Sequence, residues 1–177
     1  RDPEVEGDVV REYIGYLPED AQPYERLTGL EHIMFYAKLY SKSSNVDSMV
    51  SRAIEISGLS LQDLRSKAGT YSRGMKRRLL LALTLMHHPR IAILDEPLSG
   101  LDVVSSYRVK KLIKSMAGSG ATFLITTHDM RDAEEIADVV GLIVNGRIIA
   151  EGSPREIVEL TGSESLEEAY VKLVGER

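Results

Sequence analysis

The spacing of apolar positions changes along this chain and divides it. From Thr28 the period is helical: Ile33, Met34, Ala37 and Leu39-Tyr40 form an apolar side, opened by Thr28-Gly-Leu-Glu31, a capping-box arrangement. Ser41-Lys-Ser-Ser-Asn45 reads as a polar loop. A second helix carries Met49, Val50, Ala53 and Ile54 at helical spacing and stops at Gly58. Ser60-Leu-Gln-Asp63 opens a third, short helix. Residues 25–70 therefore read as an all-helical subdomain. Ahead of them, Glu12 to Leu17 reads as a short strand that Pro18 ends, with Glu19 at its exit.

After Thr70 strands and helices alternate. A helix from about Gly74 to His87 is closed by Pro89, and residues 91–94 form a buried strand. The next helix sets Val109, Leu112, Ile113 and Met116 on one face. Gly118-Ser-Gly120 turns the chain into a second buried strand, Ala121 to Thr126. A helix over Met130 to Asp138 precedes a strand, Val139 to Val144. Asn145-Gly146 signals a tight hairpin back through Arg147 to Ala150. Ser153-Pro154 caps a further helix, and the tail from Ser165 is helical and polar. The organisation expected is 1–24 as a core segment, 25–70 as the helical subdomain, 71–155 as an α/β core and 156–177 as a helical tail.

Composition narrows the function. The chain has 177 residues, 43% hydrophobic and 28% charged, enough to bury a core. A net charge of −5 argues against a nucleic-acid partner. With no cysteine, disulfides and thiolate metal sites are excluded. No apolar run approaches the roughly 20 residues that span a bilayer, and no signal peptide is seen. The start at Arg1 in a polar stretch reads as a piece of a longer protein.

The candidate chemistry lies in Ile91-Ala-Ile-Leu-Asp95-Glu96-Pro97, followed by Ser99-Gly-Leu-Asp102. An apolar strand ending in adjacent carboxylates delivers them to the carboxyl edge of a parallel sheet, where open α/β folds place ligands. One carboxylate there can hold a metal through water while its neighbour orients or deprotonates an attacking water. Tyr71-Ser-Arg-Gly-Met75 stands just before a helix, where a hydroxyl, a glycine and free amides suit an anionic phosphate. His128 follows the second strand in Ile125-Thr-Thr-His128-Asp129. It is placed to meet a phosphate or an attacking water. No G-x-x-x-x-G-K-[ST] phosphate loop occurs in the chain.

Ser72-Arg-Gly74-Met75, Ile91 to Pro97, Ser99-Gly-Leu-Asp102 and Thr127-His128-Asp129 resemble, in order, the signature, Walker B, D-loop and switch-histidine motifs of ABC-transporter ATPases. Ile14-Gly-Tyr-Leu-Pro18-Glu19 resembles the entry to their Q-loop. The resemblance spans about residues 10–155 and implies an α/β fold: a P-loop NTPase (RecA-like) ABC ATPase core with a helical subdomain, its N-terminal portion absent. It implies ATP and Mg²⁺ as cofactors. Asp95 would hold Mg²⁺ through water, Glu96 would be the general base, and His128 would contact the γ-phosphate. Ser72, Arg73, Gly74 and Met75 would meet ATP held by a second ABC ATPase subunit, in a homo- or heterodimer. Asp102 would couple the two sites. Glu19, at the Q-loop position, would stand near the nucleotide as a further Mg²⁺ ligand.

The implied whole is an ATP-hydrolysing subunit on the cytoplasmic face of the cell membrane, held by transmembrane permease partners and serving export. The missing Walker A loop and adenine-stacking aromatic belong before Arg1, so this chain alone is expected to bind ATP poorly and not to hydrolyse it. Glu19 departs from the family's usual glutamine, and Tyr-Ser-Arg-Gly-Met departs from its commoner signature. The variant is most similar to subunits of ABC-2-type exporters. The competing readings are a non-catalytic half-cassette that lends its signature in trans and a non-transport ABC protein. Lys76, Arg77 and Arg78 read as a solvated helix face. His87-His88 reads as a cationic C-terminal helix turn, and the Tyr and Met residues of Ile33 to Tyr40 read as packing.

Overall fold

The computed structural model describes residues 7–40 and 46–175, and the expected loop Ser41 to Asn45 lies outside them. The chain forms two compact units, one ending at Thr126 and one beginning at Thr127.

The first unit is built on three parallel strands in the order β1 (Ile14–Leu17), β2 (Ile91–Asp95), β3 (Thr122–Thr126). Register pairs Leu17 with Leu94 and Asp95 with Thr126. Side chains alternate across a strand, so Gly15, Leu17, Ala92 and Leu94 share one buried face. Helix α5 (Arg73–Leu85) lies so close to that face that a Cβ on Gly15 would sit 2.7 Å from the Thr84 carbonyl oxygen. On the opposite face Tyr16, Ile91 and Leu124 are exposed.

Two expectations change here. Glu12 and Tyr13 belong to helix α1 (Gly7–Tyr13), and the strand begins only at Ile14. The second strand is not buried: its residues alternate between exposed and half-buried. It stands at the edge of the sheet, with Leu124 on the open face. An apolar run reveals hydrophobicity, whereas burial depends on what covers it.

The helical region contains α2 (Gly29–Tyr40), α3 (Val46–Ser57) and α4 (Leu61–Leu64). The expected capping box forms: Thr28 Oγ1 accepts from the Glu31 amide at 3.1 Å while Glu31 accepts from the Thr28 amide, and Ser60 and Asp63, at the expected start of the third helix, repeat the pattern. Ile33, Ala37, Ala53 and Leu64 form one core with Leu79, Ala82 and Leu83 of α5 and with Met86 at its end. Met34 and Leu39, expected on the apolar side, are exposed instead of packed, while Tyr36 packs against this core. Only the stripe containing His32, Ile33 and Ala37 of α2 turns inward.

His87 and His88 are not a cationic turn. Helix α5 ends at Leu85, and burial holds both imidazoles below their ordinary pKa. His87 stacks on Tyr40 at 4.1 Å. The cation at this helix end is Arg52, which donates to the Met86 carbonyl at 2.6 Å.

In the second unit, α7 (Met130–Ile136) leads to the antiparallel pair β4 (Val140–Val144) and β5 (Arg147–Gly152). Asn145 and Gly146 have φ of +48° and +74°, the left-handed pair that a tight hairpin requires. Helix α8 (Pro154–Thr161) has its Ser153–Glu156 capping box and proline at the start, and α9 (Leu166–Gly175) follows. Leu142, Ile157, Leu166 and Ala169 close this unit's core.

Candidate functional site

The carboxyl edge of the sheet assembles around a residue that the sequence pattern misplaces. Arg77 is only 6% exposed. From α5 its guanidinium donates to the carbonyls of Pro18 and Glu19, both at 3.3 Å, of Glu96 at 2.6 Å, and of Asp95. One planar cation thus ties the exit of β1 to the exit of β2. Burial lowers its pKa, and the nearby Asp95 and Glu19 carboxylates pull the other way. Arg78 is half-buried and donates to the Gly58 carbonyl at 3.1 Å, and Lys76 pairs with Glu25 at 3.4 Å. The expected solvated face is therefore replaced by three cations with separate structural partners. The usable signal was spacing: Arg77 stands four and seven residues before Leu81 and Thr84, both buried on α5.

Asp95 ends β2, and its Oδ1 accepts from the Thr126 hydroxyl, directly across the register. Glu96 continues the ladder by donating its amide to the Thr126 carbonyl at 3.1 Å. Its φ is +49°, a left-handed conformation that costs a non-glycine residue about 1–2 kcal/mol. The surrounding contacts hold it there: its amide is bonded to β3 and its carbonyl to Arg77. The glutamate is thereby turned out of the strand direction and aimed by its backbone. Glu19 is exposed after β1, its carbonyl fixed by Arg77.

The Ser72–Met75 segment meets the Ser99–Asp102 segment. Ser72 caps α5, accepting from the Met75 amide at 3.2 Å. Arg73 donates to Ser99 Oγ at 2.8 Å and lies over Gly100, where a Cβ would come 2.7 Å from its Nε. Gly100 has φ +76°, so glycine is required there twice, by conformation and by space. A Cβ on Gly74 would sit 3.2 Å from the Gly100 carbonyl oxygen. Glu19, Arg73, Arg77 and Ser99 line one cleft of about 210 Å³.

Asp102 caps α6 (Val103–Gly118), accepting from the Ser105 amide at 3.0 Å and its hydroxyl at 2.6 Å. These bonds hold its carboxyl below the ordinary aspartate pKa. A depressed folded-state pKa adds stability above the unfolded value and loses it as pH falls through the folded one. The first turn of α6 should therefore loosen on acidification below the usual aspartate range. Faster Ser105 amide exchange at low pH would register this, and Asp102→Asn should flatten the dependence. His128 is exposed and belongs to the second unit, two residues before α7, which Asp129 caps by accepting from the Arg131 amide at 2.9 Å.

The site's fit to Mg²⁺ is a matter of donors. Among the described residues no three carboxylates, imidazoles or thiolates converge as a metal cage. Asp95 keeps one carboxylate oxygen beyond its bond to Thr126, which suits an ion bound mainly by water and substrate phosphate.

A strand end bearing Asp95-Glu96, a capped Ser-Arg-Gly turn locked to the loop after it, and three parallel strands form one arrangement. The family model described as ABC transporter matches residues 4–99, more than half of the chain. This chain belongs to the ABC transporter family. It is 38% identical over 146 residues to a fluoroquinolones export ATP-binding protein of Mycobacterium tuberculosis (strain CDC 1551 / Oshkosh), covering 82% of this chain and 47% of that one. It is 30% identical over 167 residues to the linearmycin resistance ATP-binding protein LnrL of Bacillus subtilis (strain 168), covering 94% and 53%.

The chain thus spans about half the length of these relatives. A solved ATP-binding subunit of an ABC transporter superposes with a TM-score of 0.85 at 28% identity, covering 98% of this chain and 73% of that one. A dimeric ATP-binding cassette in a post-hydrolysis state, bound to ADP and Pi, superposes with a TM-score of 0.75 at 20% identity, covering 86% and 68%. This second likeness concerns the fold. Together with the parallel sheet they establish the P-loop NTPase type of α/β fold expected from the motifs. Among the described residues no helix is long and apolar enough to cross a membrane.

Proposed function

We propose that this chain is the catalytic part of an ATP-binding subunit that couples ATP hydrolysis to export through transmembrane permease partners. The observation that carries the reading is Glu96, placed next to Asp95 at the sheet's carboxyl edge and held in a left-handed conformation by bonds on both sides. In this reading Glu96 orients and deprotonates the attacking water. Asp95, with Glu19 as a second donor, would hold Mg²⁺ through water; that ion would neutralise charge on the phosphates. His128 contacts the γ-phosphate. Ser72, Arg73, Gly74 and Met75 present a hydroxyl and amides to ATP held by a second cassette, and Asp102 transmits between the two sites.

The lock between Arg73, Ser99 and Gly100 supports that last role, because it makes the signature turn and the Asp102 loop one mechanical piece. The names of the relatives, an exporter and a resistance protein, support export. The subunit would then sit on the inner face of the membrane through its partners. No phosphate-loop motif stands in this sequence, so the isolated chain should bind ATP weakly and turn over none.

The test is His128→Ala in an assembly that includes a phosphate loop. Hydrolysis should fall by about 10²-fold or more with the circular-dichroism spectrum unchanged. Full activity in this variant would remove His128 from the mechanism.

A further inference from the structure

A larger cleft lies at the other end of the sheet, where Pro89 and Arg90 lead into β2 and Ala121 into β3. It has a volume of about 1040 Å³, at the top of the range of small-molecule sites, and lies between α3 and α6. Its lining is strongly one-signed. Arg52, Arg78, Arg90, Arg108 and Lys111 face it against a single carboxylate, Glu55, in a chain whose net charge is −5. A concave surface lined by one sign of charge focuses its field on counter-ions.

Part of this charge has a structural purpose. Arg52 and Arg78 donate to carbonyls at the ends of α5 and α3, Arg90 lies 5.0 Å from the Tyr13 ring, and Lys111 lies 5.0 Å from the Tyr107 ring. The remainder is unspent. Arg78 bonds the Ser57 and Gly58 carbonyls through Nη1 alone, and among the described residues Arg108 forms no ion pair. These two guanidiniums converge at Gly58, where a Cβ would lie 3.5 Å from Arg108 Nη1 and 3.7 Å from Arg78 Nη1. Beside them, burial and the charge of Arg52 hold the His88 imidazole below its ordinary pKa, in keeping with a positive local field. Val109, Leu112 and Met116 supply an apolar wall from α6.

We propose that this cleft binds a phosphorylated small molecule of nucleotide size, its phosphoryl oxygens on Arg78 and Arg108 at Gly58 and its apolar part against Val109, Leu112 and Met116. The Arg108 guanidinium and the remaining amino group of Arg78, brought together at Gly58, match a compact phosphate better than the spread carboxylates of an acidic peptide. The proposal does not depend on the reading of Asp95 and Glu96, which stand at the opposite ends of the strands.

The test is titration of the whole chain with inorganic pyrophosphate at about 0.15 M ionic strength, followed by calorimetry and by the side-chain Nε–Hε resonances of arginine. One saturable site is expected, with shifts at Arg78 and Arg108. Arg108→Glu should weaken binding at least about tenfold, since it removes a fork and adds a repelling charge. Arg108 is exposed, so the fold should survive, and Arg108→Ala gives the same comparison without the new charge. Phenyl phosphate should bind more tightly than inorganic phosphate. The proposal is overturned by the absence of a saturable site, by unchanged affinity in both Arg108 variants, by equal binding of the two phosphates, or by a polyglutamate peptide that binds where pyrophosphate does not.

Discussion

Glu96→Gln is expected to slow ATP turnover by about 10²–10⁴-fold while nucleotide binding persists. Glutamine keeps the size of the side chain and can adopt the same left-handed backbone, so the Arg77 bond to the residue 96 carbonyl and the amide bond to Thr126 survive. What is lost is the capacity to take a proton from water. The measurement pairs phosphate release with equilibrium ATP binding, in an assembly that includes a phosphate loop. Loss of binding along with turnover would assign Glu96 a structural role. Normal turnover would move the base elsewhere.

Arg77→Ala should be the most destabilising single change in the first unit, by about 3–5 kcal/mol. Four carbonyls at the ends of β1 and β2 would lose a charged donor at once, and Arg77 itself is only 6% exposed, so little water reaches the place it would leave. Arg77→Lys tests geometry against charge. Lysine keeps the cation but cannot span Pro18, Glu19, Asp95 and Glu96 with a planar fork, so most of the loss should remain. The unfolding midpoint in urea reports the cost. A change below about 1 kcal/mol for alanine would mean that the two strand exits hold their places unaided.

The link between these predictions is that one buried residue supports the conformation in which Glu96 is proposed to act. In Arg77→Lys the Glu96 backbone would lose one of its two anchors. Turnover should fall in this variant even at temperatures where the unit remains folded.

Most of what was legible in the sequence is governed by neighbours a few residues away. Thr28 with Glu31 forms the capping box that its spacing announced, and Ser60 and Ser153 start helices where the sequence placed them, each completing a box with Asp63 or Glu156. Asn145-Gly146 makes the hairpin, and the apolar run Ile91 to Leu94 places Asp95 and Glu96 at a strand exit. The order of motifs was enough to name the family. Each of these signals rests on local hydrogen bonding, backbone conformation or a fixed spacing, and none needs a partner from far along the chain.

Tertiary structure alone decided the rest. Arg77 looks like its neighbours Lys76 and Arg78 until β1 and β2 bring four carbonyls to its guanidinium. The run Ala121 to Thr126 looks buried, yet it lies at an edge with Leu124 on the open face. Glu96 adopts its left-handed turn because β3 and α5 hold it from two directions. The basic cleft draws Arg52, Arg78 and Arg108 from three helices. The physical reason is common to all four: hydrophobic period and capping are encoded within one turn or strand, whereas burial, strain and field depend on what the fold sets opposite each residue.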